Sequence, residues 1–232
     1  MLDEKQRAQV DRQRRKHFHR SYKVDLDLSC GPLHGFAVNS RVWRPDVTSA
    51  IELAKYLGST ALRPRLQRTR VLDMCTGTGI QAVAAAKQGC ASITVVDISI
   101  DAVVNACRNL VTQVPNTPMQ IVIGDLFERV PKGERFDVII CNHPFFEGEP
   151  DGQIARCMVD PGNLIRRFLR EAPNYLTKDG VIVTAFLHQA GPTNDPCRVA
   201  EEEGLAVEEV AHMLLDSGVQ RGPFSIYEIQ PE

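Results

Sequence analysis

Val71-Leu72-Asp73-Met74-Cys75-Thr76-Gly77-Thr78-Gly79 is the stretch on which the fold of this chain turns. Arg70–Met74 is a short apolar run that breaks into a glycine-rich turn. Behind the turn, Ile80–Gln88 is Ala-rich with helical spacing and is closed by Gly89. A strand, a glycine turn and a helix in that order open a βαβ arrangement. Gly77 to Ala82 also fits G-x-G-x-x-A, the pattern of dinucleotide sites, so a nicotinamide-dependent oxidoreductase is a rival from the start.

Moving outward, the alternation continues. Ile93–Val96 is a strand ending at Asp97, and Ile100–Val111 is a helix. Met119–Ile123 is a third strand, ending in Gly124-Asp125, and Phe136–Cys141 is a fourth. Leu164–Tyr175 is helical and Val181–Phe186 is a fifth strand. Such alternation calls for a mainly parallel sheet between two helix layers, a three-layer αβα sandwich. The tail differs: after a helix at Pro196–Glu203, Ala206–Leu215 and Phe224–Gln230 are extended segments joined by a turn holding Gly218 and Gly222. They predict an antiparallel pair on the sheet edge. Upstream, Asp46–Leu57 has helical spacing, Gly58–Arg70 reads as a basic linker, and Tyr22–Val42 reads as a small hairpin.

Three strands thus end in a carboxylate: Asp73, Asp97 and Asp125. A pyrophosphate is repelled by acids so placed, whereas an ammonium or sulfonium is welcomed. S-adenosylmethionine carries both cations, a ribose and no phosphate. Asp73 with Gly77 and Gly79 is expected to seat its methionine portion and Asp97 its ribose, while Asp125 takes the adenine amine. Cys75, Thr76, Ile98, Gly124, Leu126 and Asn142 complete the expected contacts, and S-adenosylhomocysteine is the expected product.

With those residues in place, the sequence resembles the class I S-adenosylmethionine-dependent methyltransferases over roughly residues 45–232, most strongly at 71–79 and at Val95-Val96-Asp97-Ile98-Ser99. The resemblance implies a Rossmann-like, seven-stranded, mostly parallel sheet with a C-terminal antiparallel hairpin. Asn142-His143-Pro144-Phe145 looks like the Asn-Pro-Pro-Tyr/Phe motif of enzymes that methylate planar nitrogens, in glutamine side chains or base amines. Arg44-Pro45-Asp46-Val47-Thr48 looks like an element preceding the domain in the glutamine-modifying group. The implied chemistry is transfer to nitrogen, without a metal. The Asn142 oxygen and the next main-chain carbonyl would hold two N–H groups and turn the lone pair toward the methyl carbon. Phe145 or Phe146 would stack on a planar acceptor. The sequence departs from the motif at His143, which is either a general base or a neutral replacement for proline.

Beyond the motif, Tyr22, Arg44 and Glu147 are candidate acceptor contacts. The acceptor is a small amine or amide metabolite or a protein glutamine. An RNA base, or the sulfur or oxygen of a small molecule, is the alternative. Residues 1–20 carry seven Lys or Arg against three acids, with His17, Phe18, His19 and Tyr22 among or beside them. They form a basic helix or arm, and residues 1–45 form an extension that contacts RNA or folds over the site as a lid, ahead of a catalytic domain at 46–232.

Composition adds boundaries. Of 232 residues, 43% are hydrophobic and 24% charged, with a net charge of -2, which is ordinary for a globular domain. No apolar run is long enough to span a membrane, and the charged start is not a secretory signal. Seven unpatterned cysteines argue for reduced thiols, a cytoplasmic setting and no structural zinc.

Overall fold

The central strands are apolar at consecutive positions: Val71 and Leu72, Val95 and Val96, and Val138 through Cys141 are all buried. A strand buried on both faces needs a helix layer on each side. The computed structural model describes residues 2–15, 17, 20–217 and 220–232 and shows that arrangement.

In chain order, helix α1 (Glu4–Arg15) precedes a hairpin of β1 (Tyr22–Leu26) and β2 (Leu33–Val38). Helices α2 (Thr48–Leu57) and α3 (Arg63–Leu66) lead into β3 (Arg70–Met74), α4 (Ile80–Ala86), β4 (Ser92–Asp97), α5 (Ile100–Gln113), β5 (Met119–Ile123) and β6 (Phe136–Cys141). A short excursion follows, with β7 (Phe146–Glu147), α6 (Gln153–Arg156) and β8 (Val159–Asp160). The chain closes with α7 (Leu164–Glu171), β9 (Leu176–Leu187), α8 (Pro196–Glu202), β10 (Leu205–Asp216) and β11 (Arg221–Pro231).

The seven-stranded sheet has the order β10-β11-β9-β6-β3-β4-β5. Its inner strands are parallel, and β11 runs antiparallel to both β9 and β10. The order reverses at β3, between β4 and β6, so a crevice opens at the C-terminal ends of these strands. Helices α2, α4 and α5 touch one another as one group, and α7 and α8 as another.

The expected alternation and terminal hairpin match this architecture. The basic stretch before β3 is more than a linker: α3 forms there, with Leu62 and Leu66 fully buried and Arg65 paired to Glu228. The hairpin β1–β2 docks on α5 through two buried amides. Asn109 accepts from Ala37 N (2.8 Å) and donates to Ala37 O and Thr78 O (2.9 Å each). Asn105 accepts from Asn39 N (2.6 Å) and donates to Ala37 O (2.8 Å). The edge of β2 thus has side-chain partners where a further strand would otherwise pair. Expectations that fell on Lys16, Phe18, His19 and Gly218 lie outside the described residues. No helix among the described residues is long and apolar enough to cross a membrane.

Candidate functional site

The crevice holds a cavity of about 560 Å³, floored by the loop after β3 and walled by the residues after β4 and β6. The loop is tightly wound. Cys75, Gly77 and Gly79 have φ of 58°, 54° and 81°, three left-handed positions within five residues. A non-glycine residue held at such a φ is strained, which the surrounding bonds must offset. Here Thr76 N donates to Val96 O (3.1 Å) and Gly79 N to Thr76 O (2.8 Å).

The two glycines do different work. A Cβ on Gly77 would meet no protein atom within 4 Å, and the residue lines the cavity. A Cβ on Gly79 would lie 2.9 Å from the backbone of Ala106, so Gly79 lets α4 pack against α5 and does not face the cavity.

Asp73 also departs from expectation. It is 1% exposed beneath the loop, and its Oδ2 accepts from Thr76 Oγ1 (2.6 Å) and Ala82 N (3.1 Å). Burial pushes its carboxyl up to about 7. It braces the loop rather than facing the crevice. Asp97 does line the cavity. It accepts from Gly77 N (3.0 Å) and Ser99 N (2.9 Å), and burial raises its carboxyl. Ala82 N and Gly77 N are therefore taken by carboxylates where a pyrophosphate would need free amides.

Beyond β5 the expected adenine contacts are not brought to the cavity. Asp125 is paired to Arg167 on α7 at 2.8 Å, Gly124 N donates to Asp97 O (3.0 Å), and Leu126 is buried with φ 49°. Ile98, 66% exposed, forms part of the rim.

At the end of β6, Asn142 lines the cavity, and its Oδ1 is buried without a hydrogen-bond partner. His143 is 3% exposed and also lines it. Its Nδ1 lies 2.9 Å from the Pro144 carbonyl, which can only accept, so Nδ1 carries the proton and Nε2 is a bare, unpartnered acceptor. The ring stacks on Phe186 (6.1 Å) and meets Phe145 edge-on (5.3 Å). Burial pushes the imidazole down to about 4, so it is neutral near pH 7 and a weak base. Pro144, Phe145 and Phe146 complete this wall. Cys75 and Cys141 end adjacent strands, and the Cys141 thiol beside it, with burial, holds Cys75 protonated.

Of the three acceptor candidates, two lie away from the cavity and the third is held by another residue. Glu147 accepts from Thr193 Oγ1 (2.6 Å) and does not line the cavity. Tyr22 bonds Asp46 Oδ1 (3.5 Å) and lines a separate 290 Å³ cavity with Asn105 and Arg108. Arg44 lines the main cavity, but its guanidinium grips Asp46 at 2.8 and 2.5 Å.

Residues 1–45 were expected to contact RNA or to cover the site as a lid, but the residue of α1 that reaches the cavity was not singled out. Helix α1 is tied by Arg14 to Asp151 (2.9 Å) and by Gln6 Nε2 to the Ala190 carbonyl (2.8 Å). Gln13 on α1 is 1% exposed, lines the cavity, and its Nε2 has no partner. His17, expected among phosphate contacts, stacks on Trp43 (5.5 Å) and is buried. Gln81 and Gln220 also line the cavity, and Gln81 Oε1 has no partner. The one sequence signal was Gln9 and Gln13 at helical spacing on a helix otherwise read for its charge.

The family profile described as methyltransferase small domain matches residues 44–193. Over 169 residues the chain is 36% identical to the ribosomal protein uL3 glutamine methyltransferase of Bordetella pertussis, covering 67% of this chain and 56% of that protein. The like-named protein of Francisella tularensis is 32% identical over 127 residues, 50% of this chain and 40% of that one. The chain spans about half the length of the curated relatives it matches. Among solved structures, T. thermophilus 16S rRNA N2 G1207 methyltransferase in complex with AdoMet and guanosine matches with TM-score 0.67 at 15% identity, over 92% of this chain and 51% of that one. Ribosomal protein L11 methylase from Lactobacillus delbrueckii subsp. bulgaricus matches with TM-score 0.54 at 19% identity, over 78% and 77%. These structures share the fold, and the chain belongs to the methyltransferase small domain family.

Proposed function

We propose that this member of the methyltransferase small domain family transfers a methyl group from S-adenosylmethionine to an amide nitrogen, with a protein glutamine as the acceptor. The observation that carries the reading is Asn142 Oδ1, a buried acceptor without a partner, on the wall of the cavity that the Gly77 loop and Asp97 floor. Leaving such an atom unpaired costs about 1–3 kcal/mol, which an acceptor N–H would recover. The names of the relatives support glutamine as the side chain that supplies it.

The residues present fit the methyl donor. Gly77 leaves open space on the cavity side, and Asp97 offers a carboxylate for ribose hydroxyls. When bound, S-adenosylmethionine supplies an electrophilic methyl group on a sulfonium. Asn142 Oδ1 and the main-chain carbonyl of His143 accept the two amide hydrogens and turn the nitrogen lone pair toward that carbon. The same oxygens stabilise positive charge as it grows on nitrogen, before one proton leaves to solvent. His143, neutral and packed against Phe186, shapes the loop rather than removing the proton.

The test is transfer of a radiolabelled methyl group into a cell extract resolved into protein, RNA and small-molecule fractions. Label in protein, recovered as N-methylated glutamine and reduced about a hundredfold or more in Asn142→Ala, is expected. Label in RNA or small molecules, or an unchanged rate in the variant, overturns the reading.

A further inference from the structure

His188 meets Phe186 edge-on (5.6 Å), and there three side chains of metal-ligating types converge. His188 follows β9, while Glu209 and His212 lie on β10. One donor atom from each lies within 4.8 Å of the other two. Residues three apart on a regular strand face opposite ways. Glu209 and His212 share a face because the ladder shifts between Glu209 and Ala211: Glu209 pairs with Tyr227, and Ala211 already pairs with Ile226. Such a bulge re-aims side chains. Here it sets His212 Nδ1 3.1 Å from Glu209 Oε1.

The surroundings are those of a ligand set. The Ser225 hydroxyl stands 2.8 Å from His188 Nε2, 3.0 Å from His212 Nδ1 and 3.2 Å from Glu209 Oε2. Ser225 donates its one hydroxyl proton to Glu209 Oε2 or to His188 Nε2, and His212 Nδ1 donates to Glu209 or Ser225 in one of its tautomers. On the other side of the His188 ring, Asp195 Oδ2 lies 3.9 Å from Nδ1. Asp195 is itself fixed, since its Oδ1 accepts from Cys197 N (3.0 Å) at the start of α8. At that distance the carboxylate is beyond hydrogen-bond reach, but its charge favours a proton on Nδ1 and so the tautomer with Nε2 bare. Among the described residues, no lysine or arginine pairs with Glu209 or Asp195. The same atoms resemble a Ser-His-Asp hydrolytic set, but Ser225 is fully buried and offers no attack path.

We propose that His188 Nε2, His212 Nδ1 and the Glu209 carboxylate bind one divalent transition cation of the zinc type. Two imidazoles and one carboxylate suit zinc, cobalt or nickel, and solvent completes the coordination. Tetrahedral ligation puts donors roughly 3.4 Å apart. The Glu209–His212 pair is already near that spacing, and the side chains of both are exposed enough (44% and 56%) to turn inward.

The test is cobalt(II) titration of the full chain, followed by visible absorption, with zinc(II) as competitor. Uptake of one equivalent, nitrogen–oxygen ligand-field bands and displacement by zinc are expected. Exposed His212→Ala and Glu209→Gln should each weaken binding at least about tenfold, and Asp195→Asn about tenfold. Zinc should also raise the melting temperature of the parent but not of His212→Ala. A thiolate charge-transfer band, which would place the metal on cysteines, overturns the site. Absence of saturable uptake, or affinity unchanged in His212→Ala, does the same. Metal uptake is read apart from methyl transfer, so this assignment stands or falls separately from the proposed activity.

Discussion

The amide of Gly77 donates to Asp97 Oδ2 at 3.0 Å across 20 residues of sequence, so the acid after the second central strand clamps the loop after the first. The glycines of that loop should then separate binding from folding. Gly77→Ala keeps open space around its Cβ but meets a left-handed φ, costing about 1–2 kcal/mol. Calorimetry should show S-adenosylhomocysteine bound at least about tenfold more weakly. Gly79→Ala adds a clash with the Ala106 backbone, and about 2–4 kcal/mol of stability should be lost in urea unfolding.

Asp73 should leave a signature in the pH dependence of stability. Its carboxyl is raised from 3.8 to about 7, so the folded state favours the protonated form. That contribution is full below the unfolded value and is lost as pH rises through about 7. The shift is worth roughly 4 kcal/mol at most. Asp73→Asn should therefore lose less melting temperature between about pH 5 and pH 8 than the parent. An equal loss in both removes Asp73 as the cause.

His143 should act in the opposite sense. Its imidazole is lowered from 6.5 to about 4, so its contribution is present above 6.5 and is lost as pH falls toward 4. His143→Phe keeps a ring between Phe145 and Phe186 and removes that acid sensitivity. Methyl transfer by the variant should stay within about tenfold of the parent, because general-base catalysis would contribute about a hundredfold or more. A larger loss, rising with pH, would restore the base assignment.

Gln13 should discriminate acceptor from donor. Gln13 lines the cavity that Asn142 also lines, and its Nε2 is buried without a partner. Gln13→Ala should raise KM for the acceptor about fivefold, the worth of one hydrogen bond, with S-adenosylhomocysteine affinity unchanged. Equal weakening of both ligands would place Gln13 at the donor end instead.

The alternation of elements was legible because period and glycine breaks are local. The acids at strand ends were legible as positions, but not as directions. Asp73 turns under the loop, where Thr76 Oγ1 and Ala82 N donate to it, and no spacing rule announces those partners. Asp125 is claimed by Arg167, 42 residues on, a partner that only tertiary packing selects. Gln13 was hidden because a polar helix reads as solvated until something polar is found beneath it. Glu209 and His212 escaped because period-two reasoning sends them to opposite faces, and the shift after Glu209 reverses that.

Helix α1 begins beside the loop after the Asn142 motif: a Cβ on Gly148 would lie 3.4 Å from Leu2. Gln6 is fastened to the Ala190 carbonyl. Any polypeptide fused ahead of this helix therefore emerges beside the loop that follows the Asn142 motif. An affinity tag placed there would crowd that loop.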